Sequence, residues 1–350
     1  MKLYRKFMML GMVSCLIISS FAMVGCGEDK STVAKNDNPI VETAQTTEPT
    51  LEPKPTSASD STYGPVTVYN WGHILTFEES PQRAVSLNLH TLEIMLALGL
   101  EDRIVGTAYI NAPPLPEFEI AMGNIPKLAE KYPSKEVLLG VEPDFVYARN
   151  TAFTDKGIGS VEDLMKLDIP CYAAKATIVT AATMENVYED ILNLGRIFDI
   201  EVRAVDMIES MQGETQAIRD TVGDIENPLR VLVYDFGESE MYTAGQSLET
   251  HLIGLAGGRN IFDDLVKNWA YVSWEVVVDR DPEVIVINDY GDTPAREKIE
   301  FLMNHPAMAD VTAIKNEHFV ILPLPGIFAG VRNPDALLTL AKGFYPDKFE

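Results

Sequence analysis

Cysteine is nearly absent from this 350-residue chain, which carries three: Cys15, Cys26 and Cys171. Two lie near the N-terminus, so the body keeps one thiol, too few for an internal disulfide or a cysteine-held zinc or iron–sulfur centre. Histidine is scarce too. The five (His73, His90, His251, His305, His318) include no pair at helical metal spacing, so direct capture of bare Zn²⁺ or Mn²⁺ is not expected, and no residue is assigned as a metal ligand. Basic residues are the third shortage: 28 Lys and Arg stand against 52 Asp and Glu, a net charge of −24. A body this acidic repels phosphate backbones, which excludes nucleic acid as a partner. A Gly-x-Ser-x-Gly elbow, a P-loop and a dinucleotide fingerprint are also missing. Gly157-Ile-Gly159 lacks a third glycine and reads as a turn. Nothing recommends an enzyme, and no resident cofactor is expected.

What is present begins with a basic start (Lys2, Arg5, Lys6) and an apolar run from Phe7 to Val24, ending in Met23-Val24-Gly25-Cys26. About 18 apolar residues come close to spanning a bilayer, so a transmembrane anchor is the alternative. A small residue before cysteine after such a core resembles the lipobox of bacterial lipoproteins. That resemblance implies a signal peptide over 1–25, cleavage ahead of Cys26, lipid on its sulfur and an extracytoplasmic place on the membrane. Loss of the three basic residues would take the charge to −27. Residues 26–63, rich in Thr, Ser, Pro, Glu and Asp, bury too little apolar surface to offset the entropy of ordering and read as a disordered tether.

Beyond the tether, strands and helices alternate. Val66 to Phe77 reads as an edge hairpin. Strands are expected at Arg83–Leu87, Arg103–Thr107, Asp144–Ala148 and Pro170–Ala173, with helices at Thr91–Leu98, Ser134–Gly140, Val161–Leu167 and Met184–Phe198. The pattern restarts with strands at Arg230–Tyr234, Glu283–Ile287 and Phe319–Leu322, and helices at Ser247–Ala256, Ser273–Val278 and Asp335–Lys342. Such alternation implies βα units and a largely parallel sheet. Residue identities repeat as well. Ser134-Lys-Glu136-Val137 ahead of Glu142-Pro143-Asp144 returns as Ser273-Trp-Glu275-Val276 ahead of Asp281-Pro282-Glu283; Thr91-Leu-Glu93 returns as Ser247-Leu-Glu249. Between the two halves, Val202, Val205, Ile208, Met211, Ile218 and Val222 recur at helical steps from Glu201 to Gly223, and Asn227-Pro228 stops the run. The expected fold class is α/β: two α/β sandwich lobes (64–199 and 227–350), each with a largely parallel sheet, joined by one long helix within 200–226.

These residues resemble the helix-linked substrate-binding proteins of bacterial ABC importers, the family that captures ferric siderophores, haem and cobalamin. The resemblance rests on Pro81-Gln-Arg-Ala-Val-Ser-Leu87 with Thr91-Leu-Glu93 and Leu96-Ala-Leu-Gly99, and on Val141-Glu-Pro-Asp144. It continues through Thr243-Ala-Gly245, Ala256-Gly-Gly258, Asn260-Ile-Phe262-Asp263 and Val272-Ser-Trp-Glu275. It implies a cleft between lobes, capture without chemistry, and delivery to an ABC permease and its ATPase. It also implies two surface carboxylates, one per lobe, that dock on permease arginines. The matching positions are Glu93 and Glu275, with their repeat mates Glu136 and Glu249 left open as the pair.

Ligands of α/β sheets bind beyond the carboxyl ends of strands. That rule selects Asn88, His90, Tyr109, Asn111, Arg149, Asn150, Tyr172 and Lys175 in the first half. In the second it selects Phe236, Tyr242, Trp269, Tyr290, Phe328 and Arg332. Trp269 falls where the family's cobalamin binders carry a stacking tryptophan. Arg149 replaces the other aromatic expected of them, which suits an anionic group. An iron chelate of the ferric siderophore kind is the expected ligand, with a corrinoid or haem, the latter on an axial His90 or Tyr109, as alternatives. An exported hydrolase is the rival of another class.

Overall fold

The computed structural model describes residues 63–350; the expected signal peptide, Cys26 and all of the expected tether but Tyr63 fall outside the described residues. The chain enters as a hairpin of β1 (Val66–Asn70) and β2 (His73–Phe77), turned at Trp71-Gly72, where both residues take positive φ (46° and 85°). That geometry matches the twist of a two-residue hairpin. The buried Asn70 amide then acts as a strand would: it donates to Ala173 O (2.9 Å) and accepts from Ala173 N (2.8 Å).

The first lobe continues with β3 (Ala84–Leu87), α1 (Leu89–Ala97), β4 (Ile104–Ala108), α2 (Glu119–Asn124), β5 (Lys127–Ala129), α3 (Lys135–Leu139), β6 (Phe145–Ala148), α4 (Val161–Met165), β7 (Cys171–Ala173) and α5 (Met184–Ile197). Its five strands are all parallel, in the order β5-β4-β3-β6-β7. The linking helix α6 (Glu201–Val222) follows. The second lobe holds β8 (Leu229–Tyr234), β9 (Met241–Ala244), α7 (Leu248–Leu255), β10 (Gly258–Asn260), β11 (Trp269–Val272), α8 (Trp274–Arg280), β12 (Val284–Asp289), α9 (Ala295–Asn304), α10 (Thr312–Lys315), β13 (Phe319–Pro323) and α11 (Asn333–Phe344). Here β10-β8-β12-β13 form a parallel sheet, and β9 with β11 an antiparallel ribbon.

The repeat seen in the sequence is a repeat of structure. In each lobe an arginine at the start of the first sheet strand donates through Nε to the carbonyl that ends a short helix: Arg83, just before β3, to Glu142 O (2.9 Å) and Arg230, the second residue of β8, to Asp281 O (2.7 Å). The acidic residue two places on then accepts from that arginine's backbone amide: Asp144 from Arg83 N (2.9 Å), Glu283 from Arg230 N (3.0 Å). Glu142 and Asp281 both take the left-handed conformation that ends a helix (φ 46° and 41°).

Each sheet covers one face with its own core, around Leu138, Val146 and Ile158 in the first lobe and Leu232, Phe262 and Ile285 in the second. The opposite faces share one continuous core that runs from Tyr147 and Ile191 through α6 to Val286 and Leu337. Along α6, Ala204, Met211, Thr215, Ile218 and Val222 are buried and Ile208 packs beside them, an unbroken four-three alternation that passes Gly213. Val202 and Val205, expected in that stripe, are exposed instead. The first turn of α6 rests on α5, and Ala204 is the side chain that fits against Gly195 there. The helix ends at Val222, one residue short of the expected Gly223 and ahead of Asn227-Pro228, and Gly223 with φ 67° caps it.

Candidate functional site

The carboxyl ends of both parallel sheets face one cleft. In the first lobe β3 delivers Asn88, β4 Tyr109, β5 Tyr132, β6 Arg149 and β7 Lys175. Asn88, buried at φ 92°, ties them together. Its Nδ2 donates to Tyr132 Oη (3.1 Å) and its Oδ1 accepts from Arg149 N (3.4 Å). Tyr132 Oη also bonds Thr151 Oγ1 (2.8 Å), and its ring stacks on Tyr109 with centroids 4.8 Å apart. Tyr109 itself stands at φ 58°, outside the regions a bulky residue ordinarily adopts.

The second lobe answers with aromatic rings on the β9–β11 ribbon. Tyr242 stacks on Trp269 (5.7 Å, 17° between planes) and touches Phe236 (5.0 Å) and Tyr271 (4.8 Å). Phe236 and Tyr271 are 41% and 57% exposed, so this ladder has an open face. Behind it Tyr290 Oη donates to Asp235 (2.8 Å), and Lys298 Nζ sits 4.3 Å from the Tyr290 ring centre while donating to the carbonyls of Asp235 (2.7 Å) and Asn288 (2.5 Å). Asn288 Nδ2 in turn reaches Asp235 Oδ1 (3.2 Å) and Glu249 Oε2 (3.3 Å).

Charge in the cleft is sparse. Lys175 is paired with Glu189, and Arg332 with Glu93. Arg149 remains: its guanidinium lies 4.9 Å above the Phe328 ring, and its Nε has no hydrogen-bond partner among the described residues. The Phe328 ring also stacks on His90 (5.2 Å). Burial, reinforced by the Arg149 charge, pushes His90 down to about 3, so the imidazole is neutral at neutral pH.

Several sequence-expected site residues stand elsewhere. Tyr172 is fully buried; its hydroxyl donates to Asp190 (2.9 Å) and accepts from Asn193 (2.9 Å), making it a core residue because β7 turns it inward. His90 is 4% exposed behind Phe328, which closes it to the iron of a haem. Arg332 is committed to Glu93 rather than open to a ligand, and Glu93 is 1% exposed, so it offers no carboxylate to a docking partner. The repeat separates these acids cleanly. Glu93, the fifth residue of α1, and Glu249, the second of α7, are both buried, whereas Glu136 and Glu275 are both exposed second residues of α3 and α8. Each outer carboxyl is held below its ordinary value by hydrogen bonds from the preceding serine, Ser134 or Ser273, and from its own backbone amide. Tyr132 and Tyr271 were missed by sequence reasoning. β5 has three residues and no alternating pattern, and the β9–β11 ribbon carries no turn signal between its strands.

Residues 85–324 match the family described as periplasmic binding protein. The chain belongs to that family. Among the described residues no helix is long and apolar enough to cross a membrane. A periplasmic binding protein from Veillonella parvula has the same fold, with a TM-score of 0.75 and 30% identity over 81% of this chain and 98% of that one. A protein of an ABC-type Fe3+-hydroxamate transport system from Saccharomonospora viridis follows with a TM-score of 0.67 and 25% identity, covering 80% and 99%. A cobalamin-binding protein of Halobacterium salinarum is 28% identical over 62% of this chain, which spans 57% of that relative's length. The periplasmic binding protein described here is thus of the helix-linked, ABC-importer type, two α/β lobes around a cleft.

Proposed function

We propose that this periplasmic binding protein captures an iron chelate, a ferric siderophore carrying an anionic group, and hands it to an ABC permease. The reading rests on one observation: two aromatic walls, Tyr109 with Tyr132 and Tyr242 with Trp269, flank a single cation, Arg149, that no carboxylate answers among the described residues. Rings supply broad apolar contact at low entropic cost, and an unpaired guanidinium in a partly dry cleft attracts a carboxylate, hydroxamate or phenolate edge. Tyr290 completes the second wall beside them, and Lys175 stands at the margin, already paired. A corrinoid is the second reading. It is favoured by the Trp269–Tyr242 stack, which offers a flat face to a macrocycle, and by the relative whose name is cobalamin-binding. In this function the chain makes no bond and breaks none.

The receptor is held at the membrane by lipid on Cys26, and fractionation of Cys26→Ala checks this, since retention in the membrane fraction would remove the anchor. Docking falls to Glu136 and Glu275, one exposed carboxylate per lobe, in place of the expected Glu93 with Glu275. For the ligand, the full chain in detergent should quench its tryptophan fluorescence with a ferric trihydroxamate or ferric catecholate. Arg149→Met should weaken that binding about tenfold to a hundredfold, the size of one charge-assisted contact. Saturable binding of cyanocobalamin alone, unaffected by Arg149→Met, transfers the assignment to the corrinoid.

A further inference from the structure

We propose that Glu93 and Arg332 form a latch between the lobes that fixes how far the cleft opens and where Tyr109 stands. Arg332, the residue before α11, reaches from the second lobe into the first. Its Nε donates to Glu93 Oε2 (2.7 Å) and its Nη2 to Glu93 Oε1 (2.5 Å). The same Nη2 donates to Pro113 O (2.8 Å), and Glu93 Oε1 accepts a further bond from Leu115 N (2.9 Å). One ion pair therefore knits three segments: α1, the loop that follows β4, and the start of α11. That loop begins at Tyr109, whose left-handed backbone is sustained only while both ends of the loop are held, by the Tyr132 stack at one end and the ion pair at the other.

The latch is one of two joints, and the repeat relates them. In the first lobe the segment between β7 and α5 crosses to the second lobe, where Ala181 N donates to Gln246 O (3.0 Å) and Asn268 Nδ2 to Val179 O (3.0 Å). In the second lobe the segment between β13 and α11 crosses to the first lobe, carrying Phe328 onto His90 and Arg332 onto Glu93. Each joint meets the start of the other lobe's equivalent helix, α7 or α1. The first joint is made of neutral hydrogen bonds; the second contains a bidentate ion pair with its carboxylate 1% exposed. Glu249, the mate of Glu93, has the Asn288 amide and, among the described residues, no paired cation. With the latch undone, α6 and the first joint still hold the lobes, so the cleft swings open on the Phe328 side and lifts that ring from Arg149.

This inference rests on the proposed cleft only in its ligand arm; two of its readouts need no ligand. The full chain carrying spin labels at Lys131→Cys and Lys267→Cys, both exposed and one in each lobe, reports the interlobe distance in detergent, and hydrogen exchange reports Leu115. Removing one partner strands a buried charge and endangers folding, so the deciding variant is Glu93→Gln with Arg332→Gln. The latch predicts a longer, broader distance distribution and at least tenfold faster Leu115 exchange while circular dichroism stays native. Arg332→Lys, which keeps the charge but cannot span both carboxylate oxygens and Pro113 O, should fall between. Dissociation of a ferric trihydroxamate should quicken about tenfold in the double variant. A native distance distribution with unchanged Leu115 exchange in the folded double variant overturns the latch. If the wild type binds no chelate, the ligand assignment falls while the distance and exchange results still decide the latch.

Discussion

Two buried acids show how environment rather than residue type decides charge. Burial pushes the Glu249 carboxyl up to about 8 against the opposing pull of the Asn288 amide. Asp190 is likewise pushed up to about 8 by burial, although Lys175 N (2.8 Å) and Tyr172 Oη (2.9 Å) donate to it. Each folded-state value lies above the ordinary one, so the native protein retains protons that the unfolded chain has released. Stability therefore falls as pH rises from about 4.5 to about 8, the reverse of the usual salt-bridged carboxylate. Replacing Glu249 by Gln removes one of these terms. Thermal unfolding should find Glu249→Gln more stable than wild type at pH 8 by on the order of 3 kcal/mol, a gap that closes by about pH 4. A difference that does not change with pH would mean that Glu249 is ionised in the native state or that its carboxyl serves only packing.

At the scale of elements, the contact between α5 and α6 depends on a missing side chain. A Cβ on Gly195 would stand 2.4 Å from Ala204 Cβ and 3.2 Å from Glu201 Cα, so the helices approach there because nothing separates them. Gly213, in the middle of α6, meets nothing within 4 Å. The same substitution at these two sites should have opposite signs. Gly213→Ala should stabilise by about 0.5–1 kcal/mol through helix propensity alone. Gly195→Ala gains that same propensity but must push α6 off α5, a net loss of about 1–3 kcal/mol. Denaturant unfolding of the two variants checks both, and a stable Gly195→Ala would show that the crossing yields without cost. The crossing also explains the exposed valines. A periodic count over α6 finds the right period, but its phase in the first turn is set by Gly195, a residue on another helix.

For the whole molecule, one core running through α5, α6, α7 and α11 gives the lobes a common interior, so the exposed carboxylates of Glu136 and Glu275 present a set separation to a partner. Both are ionised and oriented by their serines. A well-formed contact to a permease arginine contributes on the order of 1.5–3 kcal/mol. Uptake by cells carrying Glu136→Ala or Glu275→Ala should fall about tenfold or more, and further in the double variant, with chelate binding unchanged because neither residue lines the cleft. Normal uptake by the double variant would return both to ordinary solvated helix residues. Glu93→Ala, by contrast, should act on the protein itself, through the latch and through the partly buried guanidinium it leaves unpaired.

The sequence by itself determined the α/β alternation, the two similar halves, the linking helix and the rule that the cleft lies beyond the strand ends. Each is a local or periodic property: strand and helix patterns, the repeated Ser-x-Glu and acid-Pro-acid runs, the proline after α6. Only the tertiary structure decided which acids face out. Glu93 and Glu136 both sit in short helices and look alike along the chain. What separates them is an arginine 239 residues away, and no local signal carries the sign or the position of a charge delivered from the other lobe. The same holds for Tyr172, which the binding rule selected but which lies in the middle of β7. Its ring is turned inward by the β7 register and kept there by Asp190, a partner that only the packing of α5 supplies.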